Sequence, residues 1–176
     1  RFGLAAIKGV GIKSISSMVD ERNKNGKFKS IIDFMNRVSK EVINKRQLEK
    51  LIQAGAFDSI EANRSKLFNN VPKFVELFGG EKNINQDMLF EENEISFEDK
   101  NLFNQNYEKW KNAEILSNEL EVIGFYFSDH PLNHYPKKFF ELENIMSFRN
   151  YSESYDSNVI KACGAILDIK ERSNKD

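Results

Sequence analysis

The sequence is poor in the residues that build metal and redox sites. It holds 1 cysteine, Cys163, and 2 histidines, His130 and His134. A single thiol cannot form an internal disulfide, and it excludes a multi-cysteine metal site. The histidines are spaced as helical neighbours would be, but Pro131 lies between them and breaks such a helix, so no zinc centre is expected. Long apolar runs are missing too. None approaches the roughly 18 residues of a membrane span, so no membrane partner is expected. Carboxylates are plentiful, yet no clustered Asp-x-Asp pair occurs to hold catalytic metal ions. We therefore expect no catalytic residue, no metal ligand and no cofactor. The chain opens Arg1-Phe2-Gly3-Leu4, without an initiator methionine or a signal sequence. It reads as an excised, monomeric piece of a larger cytoplasmic protein.

What is present is a helical pattern with uneven charge. Of 176 residues, 40% are hydrophobic and 30% charged, enough for one ordinary domain or two small ones. The net charge is −1, but residues 1–60 carry 12 lysines and arginines against 6 acids, whereas residues 61–130 carry 7 against 14. The basic first third fits an anionic partner such as nucleic acid, and equally a soluble helical domain with an uneven surface.

Ile12, Ile15, Met18, Val19 and Arg22 recur at helical spacing, and Gly26 closes that segment. Ser30-Ile31-Ile32-Asp33 forms a capping-box pattern in which Asp33 reaches back to the Ser30 amide. Its helix presents Ile31, Ile32, Phe34, Met35 and Val38. Asn44 with Gln47 marks another start, striped by Leu48, Leu51 and Ile52 and stopped by Gly55. Asn63 caps a helix bearing Leu67, Phe68, Val71, Phe74, Val75 and Phe78, with a kink or restart at Pro72. Residues 81–106 are polar, with five acids and no base from Glu91 to Asp99, and read as a solvated linker. Tyr107, Trp110, Ala113, Leu116, Leu120 and Ile123 resume helical spacing, Val122–Phe127 reads as an extended exit, and His130-Pro131-Leu132 as a turn. Val159–Ile169 alternates as a strand, with Cys163 a buried thiol within it. The expected fold is mainly α.

The segment from Leu4 to Val19 contains Lys8-Gly9-Val10-Gly11-Ile12-Lys13-Ser14 in an apolar frame and resembles the helix-hairpin-helix motif. Glycines at 9 and 11 would allow positive φ and close approach of a ligand to the backbone. A helix starting at the turn would aim free amides and its positive dipole end outward, which suits a phosphate. Lys8 and Lys13 add charge, and Val10 anchors the turn in the core. Lys8, Gly9, Val10, Gly11, Lys13 and Ser14 are the expected contacts to the backbone of duplex DNA, made without reading its sequence. Arg46–Asp58 reads as a degenerate second copy that keeps Gly55 but has Phe57 in place of the second glycine, hence a structural hairpin.

Arg1–Gly11, Val42-Ile43-Asn44-Lys45-Arg46, Ala54-Gly55-Ala56-Phe57-Asp58 and Gly124–Leu132 together, and in this order, resemble the alpha-subunit family of bacterial DNA polymerase III, the replicative DNA polymerase. The resemblance implies a tandem helix-hairpin-helix domain over residues 1–80 and a linker over 81–106 with a sliding-clamp-binding peptide. It further implies a helical connector over 107–145 and an incomplete oligonucleotide-binding (OB) domain from 146–176. The family's clamp peptide has Gln, two variable residues, Leu or Met, and Phe, which Gln86-Asp87-Met88-Leu89-Phe90 fits. Gln86, Met88, Leu89 and Phe90 are the implied clamp contacts, although a hydrophobic pin holding the loop would look similar. The resemblance makes this stretch a non-catalytic part of a magnesium-using nucleotidyltransferase, meeting other replicase subunits through the parent protein. Two other classes remain open from the residues: a protein-interaction adaptor without DNA binding, and a DNA-repair helix-hairpin-helix protein such as a glycosylase.

Overall fold

Local signals place most helix ends in the computed structural model, which describes residues 3–40, 42, 44–79, 105–145 and 161–171. Seven α-helices occur among them. These are α1 (Ile12–Asn25), α2 (Ile31–Arg37), α3 (Lys45–Gln53), α4 (Arg64–Asn69), α5 (Val71–Phe78), α6 (Asn112–Ile123) and α7 (Lys137–Leu142), with short 3₁₀ turns at Leu4–Ala6 and Pro131–His134. Ser30 caps α2 by accepting from the Asp33 amide at 3.1 Å. The returning carboxylate overshoots the expected position: Asp33 Oδ2 accepts from Lys29 N, at 2.8 Å, not from Ser30. Asn44 and Asn63 cap α3 and α4 through the amides of Gln47 and Lys66, at 2.9 and 3.1 Å. Pro72 restarts the helix, because the second position of α5 needs no amide donor.

The chain divides into two units, Arg1–Phe127 and Ser128–Asp176. In the first unit α3 is central and packs against α4, α5 and α6. Its Leu48, Leu51 and Ile52 are buried with Phe34, Met35, Val42, Phe57, Leu67, Val71, Phe74 and Val122. Phe34 stands edge-on to Phe57, with ring centroids 4.9 Å apart. Phe57, which stands where a second glycine was expected, is thus a core residue. Tyr107 and Trp110 precede α6 rather than belonging to it, and Trp110 packs on Phe68, centroids 5.4 Å apart. Val122 and Ile123 are the last turn of α6, not an extended exit.

In the second unit the alternating segment makes no strand among the described residues. Lys161 pairs with Ile145 in one isolated parallel bridge, and residues 162–171 carry no ladder. Alternation alone does not make a strand, since the backbone groups need a partner chain. Accordingly Ile166, Leu167 and Ile169 are exposed, and so is Cys163, contrary to the expected buried thiol.

Candidate nucleic-acid interface

The first hairpin is built on a turn closed by Val10 N–H donating to Ile7 C=O at 3.3 Å. Ile7 and Val10 are both buried, so the turn is nailed to the core at either end while Lys8 and Gly9 stay outside. Lys8 N–H donates to Val122 C=O at 2.8 Å, which ties the turn to the end of α6. Gly9 has φ +85°, a left-handed conformation that side chains rarely adopt. Gly11 does not share it. Its φ of −72° and ψ of 138° are ordinary extended values, correcting the expectation that both glycines need positive φ. The value of glycine at 11 lies elsewhere: as N-cap of α1 it offers no side-chain acceptor. The first-turn amides at Ile12, Lys13 and Ser14 have no intrahelical acceptor either, because the ladder begins with Ile15 N–H to Gly11 C=O at 3.1 Å. No acidic side chain stands in that first turn. The result is an uncapped, positive helix end bordered by exposed Lys8 and Lys13, with Ser14 half-buried. The helix before the hairpin is reduced to the 3₁₀ turn Leu4–Ala6 among the described residues.

Two features were not assigned to the hairpin from the sequence. Ile12, counted on the apolar face of α1, is 71% exposed at the tip beside Lys13. Arg46, from the second turn-and-helix, leans over the first: its Nε lies 3.5 Å, and Nη2 3.8 Å, from where a Cβ on Gly9 would stand. The run Asn44-Lys45-Arg46, two cations just after a helix cap, was the available signal.

The second hairpin is occupied from within. Gly55 has φ +74°, and a Cβ there would collide with the Arg64 guanidinium and the Asp58 carboxylate. Arg64, 7% exposed, donates to Asp58, to Glu119 Oε1 at 3.0 Å and to Gln53 C=O at 3.2 Å. Glu119, fully buried, accepts from the Phe127 amide through its other oxygen at 2.8 Å. Those carboxylates hold the Arg64 guanidinium above its ordinary pKa although burial opposes this. Where the first hairpin presents open amides, the second presents a completed internal ion pair.

Gln86, Met88, Leu89 and Phe90 lie outside the described residues. His130 and His134 are not brought into a metal cluster: among the described residues no group of three or more His, Cys, Asp or Glu side chains could hold an ion. No described helix is long and apolar enough to cross a membrane.

A helical turn joined through a glycine turn to a second, uncapped helix is the arrangement of a helix-hairpin-helix motif, and the family model of that motif matches residues 1–67. Similarity extends well beyond that motif. The chain is 35% identical over 173 residues, 96% of its length, to the DNA polymerase III subunit alpha of Borreliella burgdorferi. It is 40% identical over 139 residues, 78% of its length, to that of Neisseria meningitidis serogroup A, and 30% identical over 172 residues, 94% of its length, to that of Escherichia coli K12. The chain belongs to the DNA polymerase III alpha-subunit family, of whose members it spans 15%, 12% and 15% of the length in these three cases.

Proposed function

We propose that this part of the alpha subunit grips the backbone of duplex DNA through the hairpin at Lys8, Gly9, Val10, Gly11, Lys13 and Ser14, without itself catalysing a reaction. The observation that carries the reading is the uncapped start of α1 at Gly11. Three first-turn amides and a positive dipole end face outward between two exposed lysines, and the closest oxyanions that satisfy such a site are phosphates. Buried Ile7 and Val10 hold the loop in the bound shape beforehand, which lowers the ordering cost of binding. A backbone grip of this kind holds any sequence alike, as chromosome replication requires.

In the same reading Gln86, Met88, Leu89 and Phe90 dock on a sliding clamp. The polymerase then stays near the primer end at high effective concentration, even though the hairpin holds weakly. Magnesium chemistry and the contacts to other replicase subunits belong to the parent protein, and the surroundings are the cytoplasm.

The test is fluorescence anisotropy of the 176-residue chain against two unrelated duplexes over a salt series. Binding should be equal for both and fall steeply with salt, because phosphate contacts release counterions. Absence of binding at low salt, or a strong preference between the duplexes, overturns the reading.

A further inference from the structure

We infer that Arg46 is a ligand of the same DNA phosphate that the first hairpin holds, so that the binding site spans the hairpin and the start of α3. This rests on the hairpin reading above and adds a side chain to it.

The first reason is position. Arg46 stands exposed on α3, one turn from the half-buried Lys50. The register of α3 is set by its Asn44 cap and by Leu48, Leu51 and Ile52 in the core. That register delivers the Arg46 guanidinium to Gly9, the residue without a Cβ at the hairpin's tip.

The second reason is what the other cations do. Arg37 is engaged by Glu21 and Asp33, Arg64 by Asp58 and Glu119, and Lys50 by Glu121 at 2.6 Å. Among the described residues no acid pairs with Arg46, Lys8 or Lys13, whereas Lys50, whose stem also borders Gly9, is held by Glu121.

The third reason is cost. Arg46 and Lys45 occupy the first turn of α3, with no acid there, so both oppose the helix dipole. Lys45 has Glu49 one turn further on, at 4.0 Å, but among the described residues no acid pairs with Arg46, whose charge an incoming phosphate would offset. A guanidinium can hold two phosphate oxygens through parallel N–H donors, a geometry that a lysine ammonium cannot reproduce.

The experiment titrates two unrelated duplexes with the 176-residue chain and its Arg46→Ala, Arg46→Lys, Lys13→Ala and Arg22→Ala variants, each over a salt series. Arg22 is exposed about 15 Å along α1 from the hairpin tip. Arg46→Ala should weaken binding about tenfold to both duplexes and reduce the salt slope by about one counterion. Arg46→Lys should restore the slope but not the whole affinity, and Arg22→Ala should leave both unchanged. If Lys13→Ala weakens binding while Arg46→Ala matches wild type in affinity and slope, the hairpin stands and the Arg46 inference falls. If wild type binds neither duplex, both fall together. An equal loss for Arg46→Ala and Arg22→Ala would mark diffuse charge and also overturns the assignment.

Discussion

Arg64 clasps Asp58 with two near-parallel bonds, Nε to Oδ1 at 2.9 Å and Nη2 to Oδ2 at 2.7 Å, across the open face of Gly55. This fork-on-carboxylate geometry is the one a guanidinium makes with a phosphate. The second hairpin thus contains its own anion, and the two hairpins differ in kind: the first leaves its helix start uncapped and the second is closed by an internal ion pair.

Arg64→Ala is expected to destabilise the first unit by about 3–5 kcal/mol, because it removes the cation that neutralises the buried Glu119. Asp58 is 44% side-chain exposed, so Asp58→Ala should cost far less, about 1 kcal/mol or below. It should also leave DNA affinity intact. Urea denaturation with parallel DNA titration reads both quantities; a DNA affinity that changes with Asp58 would show that the second hairpin reaches the duplex.

The two glycines of the first hairpin should part company on substitution. Gly9→Val forces a β-branched residue into φ +85° and is expected to cost about 1–3 kcal/mol of stability while weakening DNA binding. Gly11→Asp meets no strain, since an added Cβ there lies 3.7 Å from Ser14 Oγ and the backbone is extended. The new carboxylate caps α1, so stability should hold or rise by about a few tenths of a kcal/mol. Yet it occupies and charges the phosphate position, so affinity should drop at least about tenfold. Chemical denaturation and anisotropy on the same preparations separate the two effects.

Acid should loosen the junction between α1 and α2. Arg37 donates to Glu21 Oε1 at 2.9 Å, to Asp33 Oδ2 at 3.1 Å and to Gly26 C=O at 2.9 Å, and its guanidinium lies 4.5 Å from the centroid of the Phe28 ring. The Arg37 bond is the main cause holding Glu21 below its ordinary pKa, with Asn25 assisting. Asp33 is held down first by the Lys29 amide and then by Arg37. Both pKa values are depressed on folding, so their stabilisation is complete above the ordinary carboxylate range, about pH 4–4.5. It is lost as pH falls through the lower folded values. Melting temperatures from pH 7 to pH 3 should fall more steeply for wild type than for Arg37→Ala. Parallel curves would remove this ion pair from the acid response.

For the clamp peptide, burial of one large apolar side chain is worth about 1.5–3 kcal/mol, so the pair Leu89 and Phe90 should dominate the affinity. Calorimetry of a peptide spanning Asn83–Glu92 against the clamp of the same organism should show binding that Leu89→Ala with Phe90→Ala abolishes. Gln86→Ala should weaken it less. Two peptides that titrate alike would refute the motif.

Much of the first unit was legible because its signals are local. Ser30, Asn44 and Asn63 cap helices through their own neighbours, and Pro72 restarts one for a reason carried in its ring. The exposed lysines at the hairpin were legible for the same reason. The lack of a strand over 161–169 was not, because a strand is a property of two segments in register, and alternation reports only one of them.

The sequence by itself determined where the helices of residues 12–78 begin, that Gly9 sits in a turn, and that the second hairpin lacks its second glycine. Those outcomes depend on backbone sterics and hydrogen bonds spanning about four residues. Only the tertiary structure decided that Gly11 is extended and leaves α1 uncapped, that Arg64 reaches Glu119 across 55 positions, and that Arg46 comes to rest at Gly9. Such pairings depend on the angle at which packed helices cross, which is set by how the whole core fills space and by no single segment.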